Sequence, residues 1–113
     1  MNLTTDRLQG VSIVRVNEAR LLYPSLSEFA KTIVSLIGSG ERRVLLDLST
    51  VTAVDSATIG CLADLYRQAT AAGGALKLAG VHKRVETVLT MTGAHDLLEI
   101  HPDAPSAVRS FGA

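Results

Sequence analysis

The sequence predicts an α/β fold: a mixed, largely parallel central sheet of four to five strands, with an N-terminal hairpin and about four covering helices. Three observations predict it. From residue 24 onward, segments with helical periodicity alternate with short apolar segments, the pattern of right-handed βαβ crossovers. Val44-Leu45-Leu46-Asp47-Leu48 is a nearly continuous apolar run bounded by turn residues, as expected of a central strand covered on both faces. The opening residues 3–17 hold two strand-like segments meeting at Gly10, and the hairpin they predict makes the sheet mixed.

In chain order, Leu3 and Leu8 mark a first strand. Its partner is Val11-Ser12-Ile13-Val14-Arg15-Val16, apolar at 11, 13 and 16 with Val14 out of phase. Residues 19–23 form a short third piece. Pro24 and Ser25 open a helix in which Ser25 and Glu28 have capping-box spacing. Leu26, Phe29, Ala30, Ile33, Leu36 and Ile37 share one face of it, and Gly38 and Gly40 stop it.

The strand Arg43 to Ser49 follows. After a polar turn, Ile59, Leu62, Ala63, Tyr66 and Ala69 make the inner stripe of a second helix, ended by Gly73-Gly74. Ala75 to Ala79 is a short strand. Residues 82–92 read as a third helix with Val85, Val88 and Leu89 inward and Gly93 as its stop. Leu97 to Ile100 is read as the last strand, and Pro102 and Asp103 start a terminal helix carrying Ala104, Ala107, Val108 and Phe111. The linkers are short, and residues 1–113 are expected to form one domain.

Composition narrows the chemistry. The chain has 113 residues, 47% of them hydrophobic, with eleven basic and eleven acidic side chains that cancel. That balance gives no electrostatic footprint for nucleic acid or an anionic membrane. No run approaches the roughly 18 apolar residues of a membrane span, and residues 1–10 lack a signal-peptide core, so a cytoplasmic protein without membrane insertion is expected. Cys61 is the only cysteine; it excludes an internal disulfide and a cysteine-based zinc cluster, and reads as a small packing group.

No catalytic, metal or cofactor set emerges. His82, His95 and His101 share no ligand spacing and read as solvated loop residues. Gly38-Ser39-Gly40 and Gly73-Gly74 follow helices rather than precede them, so they are stops and not phosphate cradles. Ser56 has no Gly-x-Ser-x-Gly elbow.

The chemistry that remains lies at residues 44–62, where the buried strand passes through a polar turn to Asp55-Ser56 at the start of the second helix. One reading is structural: Asp55 or Ser56 caps the helix, worth roughly 1 kcal/mol. The other is functional: an exposed hydroxyl beside a helix N-terminus accepts a phosphate, whose roughly −1.5 to −2 charges the helix dipole tolerates.

These residues carry a resemblance. Val44-Leu45-Leu46-Asp47-Leu48-Ser49 and Val54-Asp55-Ser56-Ala57-Thr58-Ile59-Gly60 closely resemble the STAS domain, named for sulfate transporters and anti-sigma factor antagonists. Ala72 to Gly80 and Val88 to Gly93 fit the same series, so the resemblance spans about residues 8–112. It implies a STAS-type sheet and no enzymatic activity. It also implies phosphorylation of Ser56 by an anti-sigma factor serine kinase of the histidine-kinase-like ATPase fold, resetting by a PP2C-type phosphatase, and release of a sigma factor when unmodified Ser56 lets the kinase bind.

Carried over residue by residue, the resemblance makes Ser56 the phosphoacceptor and Thr58 a second one. Asp47 and Asp55 would shape the surroundings, and Asp47, Asp55, Ser56, Ala57, Thr58 and Ile59 would meet the partner, with the helix from Ala57 to Thr70 forming part of the docking surface. The chain is expected to be a monomer or weak homodimer without cofactors. Two residue patterns depart from the family. Ala19-Arg20-Leu21-Leu22 stands where many antagonists have Gly-x-Leu-Asp, and Thr58 stands where glycine is usual. The alternative function is a non-catalytic scaffold or subunit of a stress-sensing or lipid-transport assembly.

Overall fold

A strand with apolar side chains on both sides needs cover on both faces, and the computed structural model, which describes residues 1–112, supplies it. β1 (Leu3–Leu8) and β2 (Val11–Val16) form an antiparallel hairpin. They are joined by Gln9 and Gly10, both at positive φ as a tight two-residue turn requires. β3 (Arg20–Leu21) leads through a 3₁₀ turn at Tyr23–Ser25 into α1 (Leu26–Gly38). β4 (Arg43–Asp47), β5 (Ala53–Val54), α2 (Ser56–Ala71), β6 (Ala75–Ala79), α3 (Lys83–Met91), β7 (Ile100–His101) and α4 (Ala104–Ser110) complete the chain.

The main sheet has the order β1-β2-β4-β6-β7, with every pairing parallel except the opening hairpin. Its rows of paired residues explain the pattern of burial. Val14, Leu46 and Leu78 are neighbours across β2, β4 and β6, and their face packs against Phe29, Ile33, Leu62, Leu65, Val85 and Leu89 of α1, α2 and α3. Val11, Ile13, Leu45 and Ala79 point the other way, beneath Ala107 and Val108 of α4. Val14 is therefore out of phase only on the assumption of a single apolar face; β2 is buried on both.

Three details differ from the sequence reading. The Ser25–Glu28 capping box does not form. The 3₁₀ turn already places Ser25 in helical conformation, its side chain caps nothing, and Glu28 takes the chain's amino group at 2.8 Å. The segment read as a last strand from Leu97 is a 3₁₀ turn at Ala94–Asp96 followed by a loop anchored by buried Leu98; only Ile100 and His101 pair with β6. The polar turn after β4 contains β5, which pairs in parallel with β3 as a separate two-stranded sheet.

Candidate functional site

The small β3–β5 sheet holds the start of α2 against the start of α1. Pairing Leu21 with Val54 brings the Leu21 carbonyl to the first turn of α2, where the Thr58 hydroxyl bonds to it. Asp55 is extended (φ −121, ψ 179) and is the N-cap. Its Oδ1 accepts from the Thr58 amide at 2.9 Å and lies 2.8 Å from the Thr58 hydroxyl, which in turn accepts from the Asp55 amide at 3.4 Å. Threonine thus plays the part that glutamate usually has in a capping box. Asp55 Oδ2 accepts from the Tyr23 amide at 3.0 Å, tying the 3₁₀ turn to the cap. The Tyr23 amide, then the Thr58 hydroxyl and amide, hold the Asp55 carboxyl below the ordinary aspartate range, because each bond favours its ionised form.

This network separates residues that the sequence reading grouped. Thr58 is 0% exposed and its hydroxyl is fully engaged, so the expectation of Thr58 as a second phosphoacceptor or a partner contact is corrected: the β-branched side chain points inward and braces the turn. Ile59 is 5% exposed and belongs to the core, which removes it from the contact surface too. Asp47 shares the sheet face of Leu45 beneath α4, opposite to α2. It is 12% exposed, accepts from the Ser49 amide at 3.0 Å and pairs with Arg15 Nε at 3.4 Å. It does not join the Asp55–Thr58 cluster.

Ser56 occupies the first helical position. It is exposed, and its hydroxyl has no hydrogen-bond partner among the described residues. The sequence left open which of Asp55 and Ser56 caps the helix; Asp55 does, and Ser56 is free. Beside it, Ala57 and Gly60 on α2 face Tyr23 and Pro24 across a groove of about 570 Å³ that continues past Cys61 to Asp64. Tyr23 is 72% exposed. Burial, then the nearby Asp64 charge, pushes the Cys61 thiol up, so it behaves as packing.

Tyr23 escaped the sequence reading, and Gly60 entered it only as one residue of the Ala57 to Thr70 helix. The signal for Gly60 was present, because the inner stripe from Ile59 to Ala69 leaves 56, 60, 64 and 67 on the outer face of α2. The histidines lie elsewhere: His82 Nε2 is 2.6 Å from the Ser49 carbonyl, His95 sits by Asp96 and His101 by Glu99. No described group of three or more His, Cys, Asp or Glu residues is placed to hold a metal, and no described helix is long and apolar enough to cross a membrane.

A Thermotoga neapolitana homologue of TM1081, named as a candidate anti-sigma factor antagonist, is 28% identical over 72 residues, which are 64% of this chain and 64% of that protein's length. An anti-sigma factor antagonist (STAS) domain protein from Planctomyces limnophilus superposes with a TM-score of 0.89 at 18% identity, covering 98% of each chain. The unphosphorylated anti-sigma factor antagonist SpoIIAA superposes at 0.80 with 15% identity over 99% of this chain and 98% of that one. Its phosphorylated form, from Bacillus, superposes at 0.74 with 13% identity over 97% and 99%. The STAS domain model matches residues 2–107, nearly the whole chain, and the chain belongs to the STAS domain family.

Proposed function

We propose that this protein is an anti-sigma factor antagonist switched by phosphorylation at Ser56. Unmodified, it binds an anti-sigma factor serine kinase and so frees a sigma factor; phosphorylated, it lets go. A PP2C-type phosphatase restores the binding form. The protein works by binding rather than catalysis, in the cytoplasm, as a monomer or weak homodimer.

The observation that carries this reading is the division of labour at the start of α2. Asp55 and Thr58 make the cap, and Ser56 stands outside it with a free hydroxyl. A phosphate there adds roughly −1.5 to −2 charges at a helix N-terminus, which the macrodipole favours by about 0.3–1 kcal/mol at an exposed site. The fold therefore accepts the modification. A docked partner does not. Two unit charges 4 Å apart interact by about 4 kcal/mol at an effective dielectric near 20, so an acidic group of the kinase facing the phosphate weakens binding by more than about a hundredfold. The names of the SpoIIAA structures, in phosphorylated and unphosphorylated forms, and of the Thermotoga relative support the same reading.

The test is incubation with the purified kinase and ATP, followed by intact mass and peptide mapping. One phosphate on Ser56 and none on Thr58 is expected. No phosphate on Ser56 removes the switch.

A further inference from the structure

Gly60 is conspicuous because nothing inside the fold requires it. The chain has nine glycines. Six adopt positive φ, where other side chains are strained. Gly74 would put a Cβ 2.5 Å from the Arg42 carbonyl oxygen. Gly38, the last residue of α1, is also outside the positive-φ set and would put a Cβ near no atom within 4 Å. Gly60 shares these properties with Gly38 but lies inside a helix rather than at its end: it is in the second turn of α2, it is not among the positive-φ glycines, and an added Cβ meets no atom within 4 Å. Glycine there weakens the helix relative to alanine.

Its position gives the reason that its surroundings do not. Gly60 is exposed and four residues from Ser56, on the same helix face and about 6 Å further along the axis. It lines the groove with Tyr23, Pro24, Ala57 and Cys61. Any enzyme that transfers a phosphate to Ser56 must cover the first turn of α2, and the next turn is then within its footprint. Tyr23 stands exposed at the groove's edge with its amide held by Asp55, so its backbone is fixed before a partner arrives. Asp64 and Arg67 both line the groove beyond Cys61, so that end offers charges of both signs.

We propose that Gly60 is the close-approach contact for the kinase. Its bare Cα lets a kinase segment lie against the α2 backbone, with an apolar side chain lowered beside Tyr23 and Cys61. This inference rests on the function proposed above and adds the residue that shapes the docking surface.

The test is calorimetric titration of the purified anti-sigma serine kinase of the same genome, loaded with ADP, into the unmodified protein, Gly60→Ala and Gly38→Ala. Gly60→Ala is expected to melt about 3–6 °C higher, from the helix propensity gained. It is also expected to bind about tenfold or more weakly, as a methyl inserted into a packed contact does. Gly38→Ala binds like the unmodified protein. Equal binding by Gly60→Ala, or equal weakening by Gly38→Ala, overturns the inference. If the unmodified protein neither binds the kinase nor gains phosphate on Ser56, the functional reading fails and this inference with it. If Ser56 is phosphorylated while Gly60→Ala binds undiminished, only the close-approach contact fails. Sedimentation of the chain alone covers the remaining occupant: a dimer that Gly60→Ala dissociates assigns this face to a second copy and overturns the kinase assignment.

Discussion

Two neighbouring parts of one helical turn behave in opposite ways. The inward part, Asp55 and Thr58, is saturated: both side chains bond to each other, and together they hold the Leu21 carbonyl and the Tyr23 amide. The outward part, Ser56, Ala57 and Gly60, makes no side-chain hydrogen bond among the described residues and borders a groove. The cap and the free hydroxyl thereby fall to different residues one or two positions apart. A group whose side chain holds nothing in place can be modified without disturbing the fold.

Breaking the inward part should have the largest effect on stability. Thr58→Val keeps the shape and removes the hydroxyl, leaving the Leu21 carbonyl buried without its partner, which costs about 1–3 kcal/mol. Urea denaturation measures it, and a change under about 0.5 kcal/mol would mean the inward network does not brace the turn. Next comes a change at the outward part. Ser56→Asp places one charge where the phosphate would sit; kinase binding by calorimetry should weaken about tenfold or more while the urea midpoint stays put. Undiminished binding would separate charge from the switch.

A smaller effect sharpens the role of charge within the cap. Because the folded Asp55 carboxyl is held below its unfolded value near 3.9, its contribution is present above about pH 4 and is lost as pH falls through the folded value. Asparagine is an equally good N-cap by geometry. Asp55→Asn should therefore be less stable than the unmodified protein at pH 7, with the gap closing below about pH 4. Asp6, Glu41, Glu99 and Asp103 are also shifted downward but are common to both proteins, so the difference isolates Asp55. A gap independent of pH would show that shape, not charge, makes the cap. The smallest effect belongs to Ser56→Ala. Its hydroxyl caps nothing, so stability should change by less than about 0.5 kcal/mol, with kinase binding retained and phosphorylation abolished.

Much of this was readable from the chain. The βαβ alternation gave the sheet and helices, and Asp55-Ser56 at the strand-to-helix junction marked the candidate site. What escaped has physical causes. β3 and β5 have two residues each, too few for any periodicity to show. Asp and Ser are both good N-caps, so local chemistry leaves the choice between 55 and 56 open; the extended backbone at Asp55 decides it. The resemblance made Thr58 a candidate acceptor, and a hydroxyl three residues into a helix carries no mark of which way it points. Only the β3–β5 pairing, joining residues 21 and 54, turns it inward. Asp47 came to the site through the family resemblance alone; strand alternation puts 45 and 47 on the face opposite to 46, away from α2. The Ser25–Glu28 motif was overridden by the preceding 3₁₀ turn.

The claim on which all of this depends is that negative charge at one exposed oxygen leaves the domain standing and dismisses its partner. The most direct measurement uses protein phosphorylated at Ser56 beside the unmodified form, comparing urea midpoints and kinase affinity in the same buffer. Midpoints equivalent to within about 0.5 kcal/mol, with affinity lower by about a hundredfold or more, are predicted. Equal affinities, or a phosphorylated domain that has lost its fold, would contradict the account.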